Sequence, residues 1–152
     1  MATPTSTVSN YGECAIYLEE ANNPEITEML SEKLKAYNES KIGKYSHLPY
    51  TIYIKSDDGS KVIGGCNGDI TLTNCYVDCI WVDEEYRKHG IGLKLMNTLA
   101  AYAKNANCEV ITIETADFQA KDFYEKAGFS IISITEHNCF LGHKVYLMRK
   151  TL

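Results

Sequence analysis

Residues Cys79 to Leu93 read Cys-Ile-Trp-Val-Asp-Glu-Glu-Tyr-Arg-Lys-His-Gly-Ile-Gly-Leu. The apolar, β-branched start predicts a strand, the acidic run a turn, and the basic, glycine-bearing stretch a junction into an amphipathic helix. Such a junction suits a phosphorylated ligand. Gly90 and Gly92 let backbone N–H groups approach phosphate oxygens, the helix N-terminus carries partial positive charge, and Arg87 and Lys88 add whole charges. The segment has no Gly-Lys-Ser/Thr ending, so it is not a P-loop, and a dinucleotide fingerprint wants glycine where Leu95 stands. Just upstream, Asp78 interrupts an apolar strand, where a carboxylate is costly unless it is paired or functional. Strict alternation places Tyr76, Asp78 and Ile80 on one face and Val77, Cys79 and Trp81 on the other.

The spacing Arg87-x-x-Gly90-x-Gly92, between a strand and a long helix, resembles the pyrophosphate-binding motif of the GNAT superfamily of N-acetyltransferases. A second segment strengthens the likeness. Asp117-Phe118-Gln119-Ala120-Lys121-Asp122-Phe123-Tyr124, followed through to Gly128-Phe129, is similar to the family's Asn-x-x-Ala-x-x-Phe-Tyr-x-x-x-Gly-Phe. The order and separation of the two motifs also agree, and motif-level likeness is confined to residues 76–129. Asp117 departs from the family's Asn, although either residue can cap a helix. The resemblance implies a single α/β (α+β) domain over residues 1–152. It also implies a mixed, mostly antiparallel sheet with helices on both faces and a splayed central strand pair. Acetyl-coenzyme A would sit where the strand ending at Val82 parts from the strand ending at Glu114. Cofactor contacts would come from Ile80, Trp81 and Val82, and from Arg87, Lys88, His89, Gly90, Ile91, Gly92 and Leu93. Gln119 and Phe123 would complete them, with His89 giving its backbone N–H and Trp81 bonding the pantetheine arm as an added strand would.

Acetyl transfer to an amine needs a neutral amine, a polarised thioester carbonyl and a protonated leaving thiolate. An alkyl ammonium with a pKa of about 10.4 is almost wholly charged at neutral pH, so a proton acceptor helps. Asp78 is the first candidate for it; Glu114 is the second, and a water chain remains open. The resemblance points to a backbone N–H near Val82 for the oxyanion and to Tyr124 as the acid on sulfur. Plain packing is the alternative for Tyr124 and Phe123, and a strand-end carboxylate bonded to a loop is the alternative for Asp78. Three functions compete. The first is an acetyl-coenzyme A-dependent transferase acting by direct transfer on a primary amine of a small molecule or peptide. The second is a cofactor-binding sensor or interaction module without turnover, which the retained Tyr124 disfavours. The third, a toxin acetylating aminoacyl-tRNA, is disfavoured by acidity.

That acidity is a net charge of −5, which argues against nucleic acid and is compatible with a cationic acceptor. Glu19, Glu20, Glu25, Glu28 and Glu32 crowd the first helix, and a solvated face explains them. At 152 residues the chain can bury one proper core. No apolar run reaches the ~18 residues that span a bilayer. The N-terminus lacks signal-peptide character, so a cytoplasmic location is the default, with no membrane partner and a homodimer left open. Cys14, Cys66, Cys75, Cys79, Cys108 and Cys139 show no Cys-x-x-Cys pair and no secretory context, which disfavours zinc and disulfides. His137, Cys139 and His143 make only a loose cluster, and Cys79 reads as a small core residue.

These groups must be held by elements that the periodicity outlines. Residues 1–12 read as a loose polar lead, Cys14–Leu18 as a strand. Asn23-Pro24 opens a helix whose Ile26, Leu30 and Leu34 face the core. Asn38–Pro49 reads as a polar loop and, with the C-terminal strands, as the acceptor-determining segment. Tyr50–Ile54 and Lys61–Cys66 form a hairpin through Asp57-Asp58-Gly59-Ser60, and Cys75–Val82 is the next strand. The long helix covers Gly90–Lys104, with Ile91, Leu95, Leu99, Tyr102 and Ala103 at helical spacing. Glu109–Glu114 is a buried-type strand, and Asp117 caps a short helix carrying Ala120, Phe123, Tyr124 and Ala127, ended by Gly128. Ile131–Ile134 and Lys144–Arg149 complete the sheet.

Overall fold

The structure, a computed structural model, describes residues 6–11, 14–136 and 142–152. Backbone contacts gather into two units, Met1–Lys44 and Tyr45–Leu152.

In the first unit, β1 (Ser6–Tyr11) pairs antiparallel with β2 (Cys14–Leu18), so part of the expected loose lead is a strand. Helix α1 (Pro24–Ile42) begins as its sequence dictates, with Pro24 in the first turn and the Asn23 side chain accepting from the Ile26 N–H at 3.2 Å. It runs further than expected. What reads as a polar loop from Asn38 is helical to Ile42, and only residues 43–46 separate α1 from the next strand. Asn38, Ser40 and Lys41 are tolerable helix formers, and the Gly43 N–H closes the last turn on Glu39. The stripe of Ile26, Leu30 and Leu34 is exposed rather than facing a core, and no α1 residue is buried. A two-stranded hairpin has too little apolar surface to cover it.

The second unit is a six-stranded sheet in the order β3-β4-β5-β6-β8-β7. Its strands are β3 (His47–Lys55), β4 (Val62–Thr71), β5 (Asn74–Val82), β6 (Val110–Ala116), β7 (Ser130–Thr135) and β8 (Val145–Thr151). Every neighbouring pair is antiparallel except β5 with β6, which are parallel. The parallel pair requires a crossover, and helix α2 (Ile91–Asn105) supplies it. Its Leu95, Met96, Leu99 and Ala103 are buried at helical spacing, while Tyr102 stays on the rim against Tyr50, ring centroids 5.7 Å apart. Helix α3 (Lys121–Lys126) follows β6. The core of this unit joins Cys66, Ile70, Cys75, Val77 and Ile111 of the sheet to Met96 and Leu99 of α2 and Tyr124 and Phe129 around α3.

The parallel ladder is short. It runs from Asn74↔Val110 to Val77↔Ile113 and stops, although both strands continue. At the same point β5 carries a bulge against β4: Asn67 pairs with Cys79 and Gly68 with Val77, which leaves Asp78 as the extra residue. A bulge bends its strand and raises local twist, which is how β5 leaves β6. Among the described residues, no helix is long and apolar enough to cross a membrane.

Candidate active site

The site begins with the strand pair that separates. Beyond Val77, the β6-facing edge of β5 from Asp78 to Val82 has no ladder partner in β6, while its other edge stays paired with β4 as far as Gly64↔Val82. Ile80 and Val82 therefore present their N–H and C=O groups to the opening, as an added extended ligand requires, whereas Trp81 between them turns its backbone groups to β4. Ile80 packs against the core, whereas Trp81 is about half exposed, at 48%.

The bulge also corrects the alternation. Cys75 and Val77 are buried, but beyond Asp78 the inward positions become Ile80 and Val82. Asp78 does not share a regular face with Tyr76 and Ile80. It is the unopposed residue, exposed at the point of separation. Cys79 is exposed too, contrary to a core role, because the extra residue shifts it off the buried face. Glu114 lies just past the last β5–β6 pair, exposed and opposite Leu147 of β8.

The acidic run after Val82 is a 3-10 turn, Glu84–Tyr86, capped by Asp83. Asp83 meets Lys61 at 2.6 Å, and this contact holds its carboxyl below the usual carboxylate range. Arg87 turns back, its Nε donating to the Val82 carbonyl at 3.0 Å and its guanidinium meeting Glu84 at 3.4 Å. Arg87 thus fastens the junction to the end of β5 as well as adding charge. Lys88 and Gly90 both have positive φ, 64° and 80°, and Gly90 caps α2 without any side-chain hydrogen bond. Alternating backbone hand curls N–H groups into an anion-binding nest, and a helix start without a side-chain cap leaves its first N–H groups free to bind. His89 lies inside this nest, Ile91 and Gly92 begin the helix, and Leu93 faces solvent in its first turn. The donors fit a pyrophosphate. From Gly90, a concave surface of about 590 Å³ continues along α2 past Leu93, Lys94, Asn97, Thr98 and Ala101.

Gly92 joins the two motifs physically. A Cβ there would lie 3.1 Å from the Phe123 ring, so glycine is what lets Phe123 close on the helix start. Phe123 stacks edge-on against Tyr124 at 5.2 Å, and Tyr124 against Phe129 at 5.7 Å. Tyr124 is only 3% exposed, and burial pushes its phenol pKa upward, with Cys79 and Cys66 adding to the effect. Every fully buried side-chain polar atom among the described residues is hydrogen-bonded. The Tyr124 hydroxyl has no such bond there, so its oxygen reaches accessible space.

Two expectations around β6 and α3 change. Asp117 does not cap α3, whose N-cap is Ala120 with no side-chain bond. The Asp117 carboxylate instead accepts from the Lys144 N–H at 3.1 Å and meets His143 at 2.8 Å. A carboxylate can take both partners where a neutral amide would have to present one oxygen, and these contacts hold it below its ordinary pKa. Gln119 spends its carbonyl oxygen on the Ala116 N–H at 2.8 Å and on the Thr115 hydroxyl at 3.4 Å, so that oxygen shapes the turn into α3. Of the loose His–Cys cluster, His143 is thus bound to Asp117, while His137 and Cys139 lie outside the described residues. No group of three or more metal-ligating side chains occurs among the described residues.

Strand separation, an anion nest on α2 and an aromatic α3 define an acyltransferase architecture, and the comparisons agree. The chain belongs to the acetyltransferase (GNAT) family, whose model matches residues 15–129. It is 30% identical over 115 residues to Acetyltransferase Atu2258 of Agrobacterium fabrum, a match covering 76% of this chain and 83% of the relative. A crystal structure of an acetyltransferase from Bacillus cereus superposes with a TM-score of 0.78 at 28% identity, covering 89% of this chain and 97% of that one. A Bacillus anthracis protein described as a streptothricin acetyltransferase, solved with acetyl-coenzyme A, aligns at 26% identity and TM-score 0.55. That match covers 60% of this chain and 57% of that one.

Tyr50 and Gly68, to which the sequence assigned no role, adjoin the bulge that sets off Asp78. Three glycines within one strand, Gly64, Gly65 and Gly68, were the available signal, since strand glycines mark bulges and close backbone approach.

Proposed function

We propose that this protein transfers the acetyl group of acetyl-coenzyme A directly to a primary amine of a small molecule or peptide. The observation that carries the reading is the parting of β5 from β6 directly after Val77, at Asp78, in front of an α2 start with no side-chain cap. The nest from Lys88 to Gly92 holds the pyrophosphate, and the open edge of Ile80 to Val82 holds the pantetheine. A backbone N–H at Val82 faces the carbonyl oxygen. When bound, the cosubstrate supplies an activated thioester. Asp78 takes the amine proton or holds the ammonium, and its exposure at the opening supports that role. Tyr124 keeps its proton because burial opposes ionisation, and so it remains a donor for the departing sulfur.

A relative described as a streptothricin acetyltransferase, together with a net charge of −5, favours a cationic small-molecule acceptor. The test is release of free coenzyme A thiol with polyamines, amino acids, streptothricin-type and aminoglycoside antibiotics and peptide N-termini. Turnover with at least one amine, and mass gain of one acetyl group on it, supports the reading. Tight acetyl-coenzyme A binding without turnover on any of them would favour a sensor.

A further inference from the structure

The opening at Asp78 depends on a bulge, and the bulge has a visible anchor. Tyr50 of β3, Gly68 of β4 and Val77 of β5 occupy one row across three strands, Tyr50 opposite Gly68 and Gly68 opposite Val77. Because Gly68 has no side chain, Tyr50 can reach across it. Its hydroxyl donates to the Tyr76 carbonyl on β5 at 2.7 Å, a bond that skips a whole strand. The same carbonyl occupies the space a Gly68 side chain would need. A Cβ there would overlap the Tyr76 oxygen and lie 2.8 Å from the Tyr50 hydroxyl. The carbonyl is therefore turned out of the ladder, one peptide before Val77 and two residues before Asp78.

Tyr50 is itself fixed. It is 8% exposed, and its ring lies 5.7 Å from that of Tyr102 on α2. Burial, chiefly, raises its pKa, so the hydroxyl stays a donor, and the Asp78 carboxylate is near enough to contribute. A buried carbonyl deprived of its donor costs more than an exposed one, which gives this bond leverage over local conformation.

We propose that Tyr50, working through the gap at Gly68, is a positioning residue: it pins the Tyr76 carbonyl, sets the bulge, and so fixes where Asp78 stands at the acetyl-transfer opening. This rests on the reading of Asp78 given above. Tyr50 touches neither substrate nor reacting atoms.

The test is Tyr50→Phe, which keeps the ring against Tyr102 and removes only the hydroxyl. Amide hydrogen exchange at Val77, Asp78 and Cys79 should quicken by roughly tenfold, the scale of one lost hydrogen bond, with Ile113 and Met148 unchanged. Turnover should fall while the Michaelis constant for acetyl-coenzyme A holds. The Tyr50→Phe/Asp78→Asn double variant should be no slower than Asp78→Asn alone, since both changes act on one group. Ile111→Val, a buried β6 position, serves as a stability control and should leave both readouts as in wild type. Unchanged exchange at residues 77–79 overturns the pin, and losses that multiply in the double variant overturn its action through Asp78. If Asp78→Asn alone turns over normally, the base assignment fails while the exchange data still decide the pin.

Discussion

At the scale of single residues, Tyr124 carries the sharpest expectation. Tyr124→Phe should lower turnover by roughly 100-fold, as loss of an acid in proton transfer does, with acetyl-coenzyme A affinity unchanged. Steady-state rates beside calorimetry check this, and wild-type turnover would return the residue to packing. Its raised pKa also has a consequence for stability. The folded state binds this proton more tightly than the unfolded chain does, so the contribution is complete below the unfolded value of about 10 and fades as pH climbs beyond it. Tyr124→Phe should therefore flatten the decline in melting temperature above pH ~10, and an identical alkaline profile would contradict the assignment. Tyr124 and the segment Arg87–Gly92 could be singled out because the spacing of each motif is local. Asp78 was legible as an anomaly but misplaced in orientation, since a bulge adds one residue to a period of two. The role of Asp117 was hidden because its partner Lys144 is brought to it by tertiary geometry, whereas Gln119 bonds the Ala116 N–H three residues back, a turn contact that helical periodicity does not reveal.

At the scale of elements, the proposed site is a junction between β5 and α2 closed by α3. Gly92→Asp places a side chain 3.1 Å from the Phe123 ring and a negative charge at a helix start built for anions. Acetyl-coenzyme A binding should be lost while far-ultraviolet circular dichroism is retained; unchanged affinity by calorimetry would mean that the nest lies elsewhere. Helix α2 and most strands of the sheet were readable from periodicity to within a few residues, whereas β1 fell in the expected loose lead and β4 runs five residues past its expected end. The end of α1 was not, since Asn38, Ser40 and Gly43 are residues that turns and helix ends share. Nor could periodicity reveal that Ile26, Leu30 and Leu34 would be exposed, because a pattern names a face and not its partner.

At the scale of the molecule, the residues 76–129 that carry both motifs span β5 to the end of α3, and the remaining strands hold that stretch in place. Tyr50 acts from β3, Gly68 from β4 and Lys144 from the approach to β8, each on a residue of the motif region. Ligand binding should consequently stabilise the whole second unit rather than one loop. Acetyl-coenzyme A binding is decided by the melting temperature with and without the ligand. At about 100 times its dissociation constant the ligand adds about 2.7 kcal/mol, a shift of about 5–10 °C for a chain of this size. Wild type should show such a shift, and Gly92→Asp should lose it. A folded wild-type protein that shows no shift at millimolar acetyl-coenzyme A would contradict the proposed cofactor site.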